Sequence, residues 1–391
     1  MANHPVKWFS SDMGGHPTLG GTAAGDFNAL LKACLISGFN QQPAASLEYD
    51  SQENTVTATL STGHGFLKHQ VVAITGADQA EYNGEFRVIA TGDTWITYTP
   101  DTAPSTTPAT GSLLEATAAP VGGWEVVMED ATNHHLALRS TAPDASPHTF
   151  MITNDGYEGA YSYQEGNYAR MRILESFTDF STFEMATDQW WPASHRHTGE
   201  EWLLVADDKT IYWVNRYAYQ GHRSVFVLGD IETVRPGDAS HCLTIGIENN
   251  GGAEWDSSDS PYSDFLNLGS TAYRTIARAH HQLPGSTSWS LEGIGGTIGG
   301  LFSYPNPQTN GFYVATGKLM VKESGGLRGF MPGVLQPLQT SGVYHQAILD
   351  NLPDLEGVPV LFWLATDSRS YNSDDHLIAF RLDQWREEVG A

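Results

Sequence analysis

The stretch "EWLLVADDKTIYWVN", residues 201–215, decides the fold class. Trp202 to Ala206 is an unbroken apolar run, Asp207-Asp208 supplies a polar turn, and Ile211 and Trp213 then alternate along the returning segment. Two short runs of this kind on either side of a turn make an antiparallel hairpin. The same pattern recurs at "SVFVLGDI" (224–231), "CLTIGIE" (242–248), "FYVATGKLMV" (312–321) and "VPVLFWLAT" (358–366). Residues 117–391 read as a larger β-rich domain with long loops, and no fixed-period repeat divides it. Within it, "SDFLNLGSTAYRTIARAHHQL" suggests a short helix near 270–282.

Before the hairpin, the pattern differs in two places. "AGDFNALLKACLISG", 24–38, places Phe27, Leu30, Leu31, Cys34 and Leu35 at helical spacing. Asp26 can cap or charge its first turn and Gly38 supplies a left-handed stop. From 44 to 116 come short alternating strands, "NTVTATLS", "QVVAITG", "GEFRVIAT" and "WITYTP". Turns at Asn83-Gly84 and Gly92-Asp93 separate them. "PDTAPSTTPATGS", 100–112, reads as a loop or boundary. The expected fold is mainly β: an N-terminal arm with a helix (1–43), a small β-barrel or sandwich module (44–116), and the larger domain (117–391).

Composition agrees with β-structure. The chain has 391 residues, 40 of them Gly, and only 17% are charged, which favours strands and turns over helix bundles. Twenty Lys and Arg stand against 45 Asp and Glu, a formal charge of −25, so a phosphate backbone would be repelled and no nucleic acid is expected as a partner. The start "MANHPVKWFSSDMGG" lacks a basic region followed by an apolar one, and no apolar run reaches membrane-spanning length. The expectation is a protein made in a cytoplasm, without membrane insertion and without reliance on disulfides. Cys34 and Cys242 are read as buried free thiols.

The residues that first suggest chemistry lie in "QWWPASHRHTGEEW", 189–202. On a strand, His195 and His197 would face one side, as two metal ligands can, with Glu200 and Glu201 nearby. Pro192 and Gly199 point instead to a loop, so these histidines are expected at a surface or subunit contact. His134-His135 and His280-His281 are adjacent pairs that would point opposite ways on a strand. Asp207-Asp208 and Asp374-Asp375 sit in turn contexts where two carboxylates rarely converge on one substrate. "GHGF" (63–66) lacks the serine or cysteine of a nucleophile elbow, and "GIGGTIGG" (293–300) lacks the lysine of a phosphate loop. The aromatics are assigned chiefly to core and subunit packing, with sugar stacking as the lesser reading. No catalytic residue, cofactor or metal ligand is expected.

Two sets of residues carry a resemblance. "TVTATLSTGHGFLKHQVVAITGADQAEYNGEFRV", 55–88, resembles a small β-module of tailed-bacteriophage virion proteins and is loosely similar to the FCCH-type β-domain of ubiquitin-activating enzymes. Gly63 and Gly65 permit its turn, and nothing in it is catalytic. Four longer stretches, 6–39, 200–215, 227–238 and 299–339, together look like a family of phage and prophage virion structural proteins. The last of these contains "GLRGFMPGVLQPLQ", 326–339, punctuated by Gly and Pro, carrying Arg328 and poorly suited to a regular strand. The resemblance implies a non-enzymatic virion component, oligomeric in the particle, whose partners are other virion proteins. Tail tip or baseplate is the first placement. Capsid decoration or a fibre-like appendage is the structural alternative, and a tail protein that binds a host-surface glycan or receptor is the alternative of another class.

Overall fold

The computed structural model describes residues 4–19, 24–154, 168–193, 201–217, 222–247, 265–293, 298, 314–315, 317–338, 344–353, 355–366 and 375–386. The protein is mainly β, with one short α-helix and five sheets among the described residues.

The hairpin of the decisive stretch is present as strands Trp202–Ala206 and Thr210–Tyr217, joined by a turn in which Asp207 Oδ1 accepts the amides of Lys209 and Thr210. It supplies the second and third strands of a seven-stranded sheet. Lys7–Ser10 pairs antiparallel on one side, and His222–Asp230, Cys242–Ile245, Arg274–Ile276 and Thr287–Ser288 follow on the other. Both faces are covered, because Trp202 through Ala206 are all buried and Trp213 and Tyr212 point to opposite faces without exposure. An uninterrupted apolar run suits a strand buried on both faces.

The helix Asp26–Lys32 lies on this core through Phe27, Leu30 and Leu31, and Phe27 meets Trp213 edge-on at 5.0 Å. Asp26 charges the first turn but makes no side-chain cap; Asn154 Oδ1, from a distant strand end, accepts the amides of Gly25 and Phe27 instead. The helix widens into a π-turn over Ala33–Ser37 and stops at Gly38, where φ is +73°. A second, five-stranded sheet (Trp124–Asp130, His135–Ser140, Thr149–Thr153, Tyr168–Asp179, Thr182–Pro192) packs on the same core and is bridged to the first by Trp190 and Ile247.

Residues 39–118 form their own seven-stranded sheet around a separate core that includes Leu47, Val72, Phe86, Ile96 and Tyr98. Its two edge strands, Phe39–Pro43 and Ser46–Asp50, are consecutive in sequence. At the corner between them the Ala44 amide donates to Leu114 and the Ala45 amide to Thr59, one bond to each end of the sheet, so the sheet curls into a small closed barrel. The barrel meets the N-terminal arm through a glycine–glycine contact. The Gly14 amide donates to Gly65 O at 2.8 Å, and a Cβ on Gly65 would stand 2.4 Å from Gly14 Cα.

Four local expectations are corrected. Asn83-Gly84 is not a two-residue hairpin turn: strands Val71–Thr75 and Gly84–Thr91 are joined by a longer loop with a 3-10 turn, closed by Asn83 side-chain bonds to both backbone groups of Ala77. No helix forms over the described residues of 270–282; Arg274–Ile276 is a strand, recruited by the open edge of Cys242–Ile245. "GLRGFMPGVLQPLQ" forms two strands, Gly326–Phe330 and Val334–Pro337, in different sheets, with the Met331–Gly333 bend absorbing the Gly/Pro punctuation. "FYVATGKLMV" is likewise divided, Val314–Ala315 joining the C-terminal sheet and Met320–Glu323 the four-stranded one. The loop 100–112 is fastened along the barrel edge: the Ala109 amide donates to Leu47 O, and Thr107 Oγ1 accepts the Tyr49 amide.

Candidate functional site

Of the histidine-bearing stretch, 194–200 lies outside the described residues, and with it His195, His197 and Glu200. Glu201 and the three tryptophans are placed. Trp190, Trp191 and Trp202 are core residues. The Trp191 indole donates to Ile245 O at 2.7 Å, and Trp202 stacks on Trp213 at 5.8 Å.

Glu201 clasps three parts of the chain together. Its Oε2 accepts Arg223 Nε at 2.9 Å and its Oε1 accepts His345 Nε2. His345 Nδ1 accepts the Leu364 amide at 3.1 Å, which places the ring hydrogen on Nε2, toward Glu201. Gln346 Nε2 spans Glu201 Oε1 and Asp12 Oδ2, the latter at 2.8 Å. Burial alone would raise the Glu201 carboxyl, but the hydrogen bond from His345 and the Arg223 charge outweigh it and hold the group below its ordinary range.

A larger polar cluster lies where the central, second and four-stranded sheets meet, around Arg328. This guanidinium is wholly buried. Its Nε and Nη2 donate to the two oxygens of Asp238 at 2.8 and 2.7 Å, Nη1 to Glu323 Oε2 at 2.9 Å and to Arg278 O, and Nη2 to Ser240 O. Asp238 also accepts Thr233 Oγ1 and Gln282 Nε2, and Glu323 Oε1 accepts the His280 amide and bonds His280 Nδ1. Burial pushes the Asp238 carboxyl up, yet Arg328 more than cancels this and leaves it below the ordinary carboxylate range. A buried guanidinium survives only with this density of acceptors.

Beside it, Ser240 Oγ donates to His148 Nε2 at 3.1 Å, while His148 Nδ1 donates to Leu174 O at 3.0 Å. The order hydroxyl, imidazole, orienting acceptor is that of an activated nucleophile. Here a backbone carbonyl replaces the acid, and Ser240 and His148 are 3% and 2% exposed, so a substrate has no approach to the hydroxyl. Burial also lowers the His148 pKa and keeps the ring neutral. The arrangement is a buried strut.

The remaining candidates resolve individually. Cys34 and Cys242 are buried free thiols. Asp207 holds Arg386 Nε at 2.8 Å and caps its own turn, while burial and the neighbouring Asp207 raise the Asp208 carboxyl. His64 of "GHGF" is bonded at both nitrogens, to Gly92 O and to the Phe66 amide. His135 lies on a strand against Phe180, and His134 has φ +54° in the preceding turn. Most of "GIGGTIGG" and Asp374 lie outside the described residues. Among the described residues, no group of three or more His, Cys, Asp or Glu is placed to hold a metal ion, and no helix is long and apolar enough to cross a membrane.

The long hairpin Tyr168–Asp179/Thr182–Pro192 carries an exposed apolar side chain at the edge of the second sheet. Its neighbour Thr149–Thr153 pairs only with Arg170–Leu174, so the part beyond residue 174 continues as two strands. Phe177 pairs across with Phe183 and meets Phe180 edge-on at 5.5 Å, and Met185 beside them is 50% exposed. A two-stranded ribbon alone is marginal in water; here the cross-strand aromatic contact, the edge-on contact of Phe180 with His135 at 5.1 Å and the bond from Arg278 Nε to Glu175 at 3.0 Å support it.

No protein-family model and no curated protein matches the chain. Among solved structures, the chain is similar to the phage phi92 endosialidase at 11% identity, covering 90% of this chain and 52% of that one, with a TM-score of 0.19. The chain thus spans about half the length of that protein.

Proposed function

We propose that this chain is a structural component of a tailed-phage virion, non-enzymatic, acting through protein–protein assembly, and that it sits at the tail, in the baseplate or tip. Two things support this reading. The first is the resemblance in order and spacing of the stretches 6–39, 200–215, 227–238 and 299–339. The second, and the observation that carries the assembly role, is the exposed apolar side chain on the edge strand Thr182–Pro192. Met185, opposite Leu174 where the second sheet is still several strands wide, is 50% exposed at the sheet's edge, with half-buried Phe183 two residues before it on the same strand. An apolar side chain left half exposed on a sheet edge beside aromatic neighbours suits cover by an adjoining subunit. The interior chemistry fits the same use, since the Glu201 and Arg328 clusters lock distant segments into one body.

Quantitative mass spectrometry of purified particles tests the proposal, with the wild-type chain and the pair Phe183→Ser, Met185→Glu compared. A fixed copy number per particle is expected, with the double variant lost from particles while the free protein keeps its melting temperature. A variable, trace-level copy number, or full incorporation of the variant, contradicts it.

A further inference from the structure

The outer face of the barrel carries a second surface feature, independent of the hairpin and of the virion reading. Trp95 is 37% exposed at the start of strand Trp95–Tyr98, although a tryptophan is costly to leave in water. Its position is fixed from below. The Nε1–Cε2–Cζ2 edge of the indole lies on Gly92, where any Cβ would stand 2.4 to 2.9 Å from those ring atoms. The turn that carries it is bonded at each residue. The Gly92 amide donates to Trp95 O, and His64 Nε2 donates to Gly92 O at 2.9 Å. Asp93 O and Thr94 O accept the amides of Gly63 and Leu60. The ring is therefore presented ready-placed, and a ligand would spend little in ordering it.

Toward strands Thr55–Thr59 and Ser46–Asp50, the outer-face neighbours of Trp95 are polar. Strand alternation sends Leu47, Val56, Ala58, Ile96 and Tyr98 into the barrel core, and Ser46, Glu48, Thr57, Thr59 and Thr97 to the outer face with Trp95. The register sets Ser46, Thr59 and Trp95 in one row across three strands, about 10 Å by strand spacing. Glu48, Thr57 and Thr97 form the next row. Ser46 Oγ already bonds Thr59 Oγ1 at 3.1 Å and Glu48 Oε1 at 3.3 Å, so hydroxyls and carboxylate share one connected line.

We infer that this face binds a neutral saccharide, with one pyranose stacked by its C–H face on Trp95 and its hydroxyls met by Ser46, Thr59 and Glu48. The pattern of one aromatic face beside a row of small hydroxyls and an acceptor matches a ligand that is apolar on its ring faces and polar around its rim. Charge decides among ligands. Strands Ser46–Asp50, Thr55–Thr59 and Trp95–Tyr98 and turn 92–94 contain no Lys or Arg, while Glu48, Asp50 and Asp93 are exposed there. Arg87 of the adjoining strand is spent on His69 O and Leu382 O. An anionic sugar polymer would meet uncompensated carboxylates, whereas a neutral one offers them donors.

Native affinity electrophoresis of the full chain is the test, in gels containing dextran, galactomannan or glucomannan, with polysialic acid as the anionic control. Retardation by at least one of the three neutral polymers is expected. Trp95→Ala should weaken it about tenfold, as truncation of an interface anchor does, Trp95→Phe should weaken it less, and Met185→Ser, in another sheet, should leave it unchanged. The assay uses free protein, so its outcome is separate from where the chain sits in a particle. No retardation in any of the three neutral gels, retardation equal in Trp95→Ala and wild type, or retardation by polysialic acid alone overturns the inference.

Discussion

Replacing Arg328 by methionine removes the cation from the Asp238–Glu323 pair while keeping the volume of the side-chain stem. Both carboxylates would then be left buried without their cation, retaining only Thr233 and Gln282 on Asp238 and His280 on Glu323. Breaking one partner out of a buried ion pair costs about 3–5 kcal/mol, a large share of the roughly 5–15 kcal/mol that holds a typical domain. The effect should depend on pH in a definite sense. In the wild type the Asp238 carboxyl lies below its unfolded value, so its contribution is present above the unfolded pKa and is lost as pH falls through the folded one. Without Arg328 the largest opposition to burial is gone, while the Thr233 hydrogen bond and the His241 charge still hold the carboxyl down in part, so the stabilisation it gives above its unfolded pKa is mostly lost. The gap between the two proteins should therefore be widest near neutral pH and narrow toward pH 4. Hydrogen exchange at the Val234 amide, which donates to Arg328 O, reads this locally beside denaturant unfolding of the whole chain. The triple change Arg328→Met, Asp238→Asn, Glu323→Gln should recover most of the loss, because no buried charge is then left unpaired. A single variant within about 0.5 kcal/mol of wild type at pH 7, the size of an ordinary surface change, would refute the reasoning.

Other outcomes are expected. Burial first, and then the nearby cations Arg87 and Lys7 for His4 and Lys68 for His69, lower both imidazoles from 6.5 to about 4. Each contributes stability that is whole above pH 6.5 and lost as pH falls toward 4, so the protection factors of the His69 and Val88 amides, exchange rates divided into the intrinsic rate at each pH, should fall across that window; constant protection would count against it. Gly65→Ala puts a side chain on a residue at φ +70° and must displace the Gly14 backbone, and should cost about 1–3 kcal/mol in chemical denaturation, with Gly63→Ala, which meets nothing within 4 Å, costing less. Burial raises the thiols of Cys34 and Cys242 well above their usual value, so neither should react with a maleimide until the protein is unfolded; labelling of the native protein would show an opening not described above.

Strand runs and turn residues were legible because they are local. The 201–215 hairpin, the helix and its Gly38 stop follow from spacing that neighbouring residues set among themselves. Expectations went astray where a distant partner chose the structure. Residues 274–276 have an ambiguous pattern and became a strand because Cys242–Ile245 offered an open edge. Residues 326–337 pair with two different sheets despite their Gly and Pro, since bends between strands accommodate both. The polar clusters were the least legible. Arg328 stands 90 residues from Asp238, and His148 stands 92 from Ser240, so no spacing rule connects them. The conspicuous dipeptides and histidine pairs drew attention because they are adjacent, whereas the groups that meet in space are single residues on separate strands. One signal was available for Arg328: a lone cation in an apolar, Gly/Pro-punctuated segment implies buried acceptors.

Immunogold labelling of intact particles with an antibody against the barrel, residues 39–118, tests the central claim most directly. The account predicts label at the tail end in every particle. Absence of the chain from purified particles would contradict the virion reading itself, and label confined to the head would overturn the tail placement.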